Sequence, residues 1–503
     1  MSSNIRRHSI ISSIIIYIGF AIGLLNTYFF TKEGVFTKEE YGLAVAIFVP
    51  VAALLSSLSQ LAMPAYIYKF YPYYSNNLKP QKNDMITWAL LVGIVGFAIV
   101  GFLGWVFEDI VVRKYSVNSA LFVKYYYWVY PLTFGLTTYN ILEAYAWSLH
   151  KSVLTNFLRE AQWRLFTTVL IVLFIFQVIP DFALFIKLYS FTYPGIAIIL
   201  FIYLLAKGKI HFTFRPSMVS RRFLKVIKRF CSFVYSAAIV FTLSQVFDTL
   251  VIASVLDNGL EQAAVFILAQ NLSSIIQAPQ RGIIAAAIPH ISQAWKDKNV
   301  AMIQRIYQRS SINLLVFSLL LFVLITLNYK QAIIVFGLKQ EFMLGFGAFI
   351  LLGLARVVDL GTGINAQIIG TSNFWRFELT SGIILLILTL PLTYVLTRQM
   401  GIIGPPIAGL IANVLYNTIR IGFLWKKFRL FPFTRKSAYA IALAAGVLVV
   451  SQVLFNNMQG LTGLFVRSIF ALTLFIVGVV FLKLTPDLRP VLENILKRLK
   501  IKK

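Results

Sequence analysis

Apolar residues in this chain run in windows of about 20, the length a helix needs to cross a bilayer, parted by short polar turns. We predict fourteen such helices, at roughly 9–30, 41–67, 85–107, 121–147, 154–178, 182–206, 230–256, 262–291, 311–335, 342–368, 377–397, 402–424, 436–455 and 461–482. The longest connection, Lys207 to Arg229, carries eight basic residues and no acid. It separates two sets of six spans. The pattern therefore predicts an all-α, polytopic membrane protein with a six-helix lobe over 1–206 and a basic linker over 207–229. A second six-helix lobe follows over 230–424, then two additional helices within 425–485 and a basic tail over 486–503. In the tail, Val491, Ile495 and Leu499 share a face opposite Lys497, Arg498 and Lys500, the pattern of a helix lying on a membrane surface.

The two lobes carry a faint echo of each other. Span two follows TKEEYG and ends in AMPAYIYKFYP; span eight follows an acidic turn, LDNGLE, and ends in AIPHISQAW. Each closes near a proline, Pro64 or Pro289, as paired repeats in a transporter would.

Composition narrows the class. Hydrophobic residues make up 59% of the 503 and charged residues 13%, with mean hydropathy +0.79, which excludes an ordinary soluble domain. A net charge of +28 would point to nucleic acid in a soluble chain. Here roughly three-quarters of the basic residues fall on the side of the two termini, so the positive-inside rule makes that side cytoplasmic and no nucleic-acid partner is expected. Arg281 and Arg356 are counted apart, as cations within spans. Cys231 is the single cysteine and the four histidines are scattered, so neither a disulfide, a metal site nor a cofactor is expected. The N-terminal MSSNIRRHS leads into a span too long for a signal peptide, so the first helix is expected to remain.

Polar groups inside the spans carry the candidate chemistry. Gln270, Ser274, Gln277 and Arg281 fall at i, i+4, i+7 and i+11, one stripe of a continuous helix. An arginine at bilayer depth costs roughly 2.5–3.5 kcal/mol, so this stripe should face a cavity, and its cation suits an anionic, hydrophilic substrate. Asp248, with Ser244 and Gln245 beside it, is read either as a carboxylate that couples to H+ or Na+ or as the partner of Arg281. Arg356 and Asp359, at i and i+3, either neutralise each other or add a second cation to the cavity. Gly361 and Gly363 should loosen the helix before Asn365 and Gln367. Arg159 and Glu160 read as a structural pair near the interface, Arg164 as a deeper residue that reaches the cavity, and Glu143 as partly hydrated. Tyr125, Tyr126, Tyr127 and Tyr130 read as an interfacial aromatic belt.

TKEEYGL with SQLAMP around span two, LSQVFDTLVIASVL in span seven, GTGINAQIIGTSNF after span ten and GIIGPPIAGLIANVLYN at span twelve together resemble the polysaccharide-transporter family. That family belongs to the superfamily that also holds multidrug antiporters and lipid II flippases. The resemblance extends over nearly the whole chain. It implies an inner-membrane flippase, not an enzyme, that moves an undecaprenyl-diphosphate-linked oligosaccharide outward for lipopolysaccharide or another surface glycan by alternating access. Membrane lipids and polysaccharide-assembly proteins would be its partners. Arg281, Arg356 and Arg164 would then hold the diphosphate, since arginine binds phosphate oxygens bidentately. Spans thirteen and fourteen resemble the pair that forms a lipid-tail groove in lipid II flippases. One departure is that the first lobe offers few deep cations.

Two other readings compete. A cation-coupled multidrug antiporter of the same superfamily would want acids to dominate its cavity. A glycan polymerase or membrane glycosyltransferase would need acids or histidines on substantial outer loops, where FEDIVVRKYS is the only candidate. If the stripe on span eight is wet, cysteines at Gln270 and Ser274 in a Cys231-free chain should react with a water-soluble thiol reagent. Protection of both positions under every transport condition would mean that the stripe is packed.

Overall fold

Every predicted window holds helix. The structure, a computed structural model, describes residues 2–277 and 280–485; the amphipathic tail expected over 486–503 lies outside the described residues. The helices used below are α1 (Ser2–Thr31), α2 (Val49–Ser59), α3 (Met85–Val106), α4 (Val129–Ser148), α5 (Trp163–Ile175), α6 (Thr192–Ala206), α7 (Met218–Val255) and α8 (Gly259–Ile276). They continue with α9 (Gln280–Lys296), α10 (Val300–Val335), α11 (Phe346–Gly361), α12 (Asn365–Gly370), α13 (Trp375–Met400), α14 (Gly404–Phe428), α15 (Arg435–Phe455) and α16 (Gly460–Phe481). Two π-helical segments, Gly42–Phe48 and Phe157–Gln162, lead into α2 and α5.

Among the described residues, nine helical stretches are long and apolar enough to cross a membrane, one of them joining α13 to α14. Windows one, four, five and eight miss that standard, and for three of them the reason is polarity or a break. α4 carries Thr133, Thr137, Asn140 and Glu143; the fifth window carries Arg159, Glu160 and Arg164; the eighth is interrupted between α8 and α9. A helix this polar is stable in a membrane only when other helices, rather than lipid, surround it. α4 meets that condition: it packs on α2, α3, α6 and the helix Met63–Asn77, and thirteen of its residues are buried.

The chain divides into two compact units, Met1–Ala264 and Val265–Lys503. α7 packs on α2 and on Met63–Asn77 within the first unit, whereas the sequence division grouped it with the second lobe. The basic linker is tied down in the first unit as well. Asp84, fully buried, accepts hydrogen bonds from the Ser217 N–H (2.8 Å) and the Ser220 hydroxyl (2.7 Å).

α1 enters this unit through glycine. A Cβ on Gly19 would stand 2.2 Å from the Glu160 carbonyl oxygen, and one on Gly23 would stand 3.0 Å from Arg164 Nε. The Gly-x-x-x-Gly spacing thus lets α1 press its backbone onto the π segment, the close approach that small residues permit between membrane helices. Asn26, two turns along from Gly19, completes the seam. Its Nδ2 donates to the Arg164 carbonyl (2.9 Å) and its Oδ1 accepts from Thr168 (2.7 Å). The tyrosines expected to form a surface belt are partly drawn inside: Tyr125 and Tyr126 are buried, and Tyr126 donates to the Gly104 carbonyl at the end of α3.

In the second unit, α10 packs on α11, α15 and α16, while α14 packs on α11 and α13. Two arginines that the hydropathy reading left among the flanks are buried here. Arg420 of α14 forms a bidentate pair with Glu378 and lies 3.6 Å from the Tyr416 ring. Arg467 of α16 donates to the carbonyls of Leu327 (2.9 Å), Phe455 (2.9 Å) and Met458 (3.0 Å).

Gly19→Ala should push α1 off the π segment and destabilise the protein by about 1–3 kcal/mol, the usual cost of overpacking. Gly101→Ala on α3, whose Cβ would meet nothing within 4 Å, is the matched control. Equal thermal midpoints of the two variants in detergent would refute the backbone contact.

Candidate functional site

Within the first unit, a cavity of about 410 Å³ opens among α2, α4, α5, α6, α7 and the π segment Phe157–Gln162. Its polar lining includes Ser57, Gln60, Asn140, Arg159, Glu160 and Arg164, with Trp163 and Tyr193 as aromatic walls. The π segment sets the two arginines. A π turn holds more residues than an α turn, so it rotates the side chains that follow, and such turns recur at functional sites. Here Arg159 turns toward α4 and Arg164 toward α1.

Arg159 is held on three sides. Nη1 lies 2.9 Å from Glu143 Oε2, Nη2 donates to Asn140 Oδ1, and the guanidinium stands 5.3 Å from the centre of the Tyr139 ring. Arg164 Nη1 contacts Glu160 Oε2 and the Glu160 carbonyl, both at 2.6 Å. The rest of the wall is neutral and bonded across helices. Thr137 and Asn140 both donate to Ser56 Oγ (3.1 and 3.5 Å), and Thr242 of α7 donates to Ser57 Oγ (3.2 Å). Gln60 Oε1 and Glu143 Oε1 are buried and accept no hydrogen bond from the protein. The two pairs leave the cavity electrically balanced. A guanidinium bound by one carboxylate oxygen can exchange it for an incoming anion, provided the displaced carboxylate takes a proton or another cation.

This arrangement corrects three expectations. Arg159 does not pair with its neighbour Glu160; it reaches across to Glu143, and Glu160 pairs with Arg164. Glu143 is buried rather than hydrated, because α4 runs through the middle of the unit. Arg159, read from the sequence as an interfacial residue, lines the cavity beside Arg164.

In the second unit, the stripe expected on one continuous helix is interrupted. α8 ends at Ile276 and α9 begins at Gln280, with Gln277 in the turn between, where Pro279 in the sequence is the signal that was available. Gln270 is half-buried, and Ser274 is exposed with its hydroxyl on the Asn271 carbonyl (2.6 Å). Gln277 Nε2 donates to Gln280 Oε1 (2.8 Å), and Gln280 Nε2 approaches Asp359 Oδ2 (3.4 Å). Asn417 Nδ2 approaches the other Asp359 oxygen (3.4 Å), while Asn417 Oδ1 accepts from Thr362 and Asn365, each at 2.8 Å. The loosening expected at the glycines is present: α11 stops at Gly361, Gly363 takes φ +75°, and α12 starts at Asn365. Arg356 is half-buried on α11, one turn before Asp359, and Asp248 is half-buried on α7 without lining the cavity of the first unit. Arg281 lies on α9, and its side chain is outside the described residues.

The two breaks correspond. Gly42-Leu43, Leu55-Ser56-Ser57 and Gln60 are repeated, at the same spacing, as Gly259-Leu260, Leu272-Ser273-Ser274 and Gln277. The turns are closed alike, by Met63 N–H to Gln60 O (2.9 Å) and by Gln280 N–H to Gln277 O (3.1 Å). The repeat is therefore anchored on Gln60 and Gln277, rather than on Pro64 and Pro289.

Comparison with solved structures defines the fold. The chain is similar to the lipid II flippase MurJ in an inward closed conformation, with 13% identity and a TM-score of 0.73 over 94% of this chain and 99% of that one. It is also similar to an inward-facing multidrug resistance MATE family transporter of the MOP superfamily, at 16% identity and a TM-score of 0.64 over 84% and 97%. A third likeness is to a MOP superfamily transporter from Pyrococcus furiosus described as having a binding pocket of reverse polarity, at 15% identity and a TM-score of 0.56 over 84% and 95%. The protein is a multi-pass membrane protein with the fold of MOP superfamily transporters. Residues 235–358 match the MatE family, and no curated protein matches the chain.

Removing Arg159 strands a buried carboxylate. Arg159→Gln should destabilise the protein by about 3 kcal/mol, the low end for breaking a buried pair, since the arginine is one-third exposed. Arg159→Gln combined with Glu143→Gln should recover most of that loss in thermal unfolding. No loss in the single variant would refute the pairing.

Proposed function

We propose that this chain is a flippase of the bacterial cytoplasmic membrane that carries an undecaprenyl-diphosphate-linked oligosaccharide outward, by alternating access, for lipopolysaccharide or another surface glycan. The observation that carries the reading is the pair of guanidiniums, Arg159 and Arg164, lining a polar cavity in a membrane-spanning unit. Arginine matches phosphate oxygens bidentately, and a diphosphate presents enough charge to compete with a single carboxylate. Arg281 and Arg356 are further candidates for the same anion, with Gln270, Ser274 and Gln277 as polar contacts to the saccharide. Asp248, Asp359 and Glu143 are candidates for taking up the coupling H+ or Na+. The larger share of this chain that aligns with MurJ, 94% against 84% for the MATE transporter, supports a role for α15 and α16 beside the substrate's lipid tail. Both termini face the cytoplasm in this reading, which rests on the basic side of the chain.

A second reading, export of cationic drugs coupled to an ion, is favoured by the MatE match and by two glutamates, Glu160 in the cavity lining and Glu143 paired behind it with Arg159. Proteoliposomes separate the two. Arg159→Lys and Arg164→Lys keep the charge and lose the bidentate fork, so each should slow flipping of a fluorescent undecaprenyl-diphosphate saccharide about tenfold with little loss of stability. Unchanged flipping, together with loss of cationic-dye export in Glu143→Gln, would replace the flippase reading with the antiporter.

A further inference from the structure

A second concavity lies on the first unit away from the charged cavity, and its chemistry is the opposite. About 350 Å³ in volume, it runs between α3, α4 and α6: Leu91 and Ile94 form one wall, Phe134 and Gly135 the floor, and Ala197 and Ile198 the other wall. The floor is low because a Cβ on Gly135 would stand 2.2 Å from Pro194 N, so α4 and α6 meet there in backbone contact. The basic linker closes one end with Phe212 and Phe214. That strap is fastened: the Thr213 N–H donates to Thr87 Oγ1 (3.1 Å) and the Thr213 hydroxyl to the Gln81 carbonyl (2.9 Å).

We infer that this groove binds one acyl chain of an anionic phospholipid from the leaflet on the side of the basic linker. Three observations choose that occupant. Ile94 and Ile198 on the rims remain about half exposed on helices that span the membrane, so the groove opens onto hydrocarbon and a lipid chain is what meets it. The lining is almost wholly apolar, and offers a polar ligand no hydrogen-bonding frame. At the strapped end the groove passes directly into basic sequence, with Arg215 next to Phe214 and Lys82 next to Gln81, both exposed. Basic side chains beside a membrane surface attract anionic headgroups at about 1 kcal/mol each. The lipid therefore lies with its chain under the Phe212–Phe214 strap and its phosphate against Arg215 and Lys82. This assignment is independent of what the transporter carries.

The test is native mass spectrometry of the full chain released from nanodiscs of equal phosphatidylglycerol and phosphatidylethanolamine. The wild type should retain one phosphatidylglycerol. Leu91→Trp, which fills the groove, and Phe214→Ala, which opens its exposed strap, should each lower retention at least fivefold. Ile99→Trp, on an exposed apolar position of α3 outside the groove, should not. Arg215→Gln with Lys82→Gln should abolish the preference for phosphatidylglycerol while keeping a bound lipid. Equal retention in Leu91→Trp, Phe214→Ala and Ile99→Trp would overturn the groove assignment, and equal retention of the two lipids by the wild type would overturn the headgroup assignment.

Discussion

A guanidinium in a low-dielectric interior has to find oxygen, and much of the described architecture is arranged around that demand. Four arginines show three solutions. Arg159 and Arg164 each take a glutamate at the wall of a cavity, Arg420 takes a bidentate carboxylate and a tyrosine face, and Arg467 takes main-chain carbonyls. These solutions differ in what they leave available. Carbonyls cannot take up a proton or depart, so Arg467 is fixed. Of these four, the two cavity arginines are partly exposed, and each is held by a carboxylate through a single oxygen, so an incoming anion can displace that partner more readily than it can the bidentate carboxylate of Arg420.

The fold that presents them was largely legible because membrane insertion writes long apolar runs into the sequence, and these survive even where polar residues interrupt them. The helix break at Gly361 and Gly363 was legible too, since glycine spacing acts locally. Partnerships were not. Arg159 and Glu160 are neighbours in sequence, and local reasoning pairs them. Their actual partners depend on how the π segment turns and on which helix stands opposite, and no short-range pattern records that.

The repeat shows the same limit from another side. Proline near the end of a span is a conspicuous landmark, yet Pro64 opens a new helix while the chain has already turned at Gln60. The quieter signal, serine pairs followed by glutamine at equal distances from a glycine, was the one tied to geometry. It also connects the polar chemistry of the two units. Ser56 and Ser57 bind across α4 and α7 in the first, and Gln277 leads through Gln280 to Asp359 in the second. The counterpart of Arg281 in this register is Pro64, so the second unit carries a cation where the first has none, and symmetry of backbone does not extend to symmetry of charge.

Arg467 has a mechanical consequence. By gripping Leu327 of α10 together with the turn after α15, it welds three long helices into one rod cluster, reinforced by Asn328 donating to Ser468 (3.0 Å). Such a cluster transmits displacement without absorbing it. A displacement of α10 would therefore carry α15 and α16 with it, and the friction of three apolar helices against lipid, rather than of one, would set how fast it could occur.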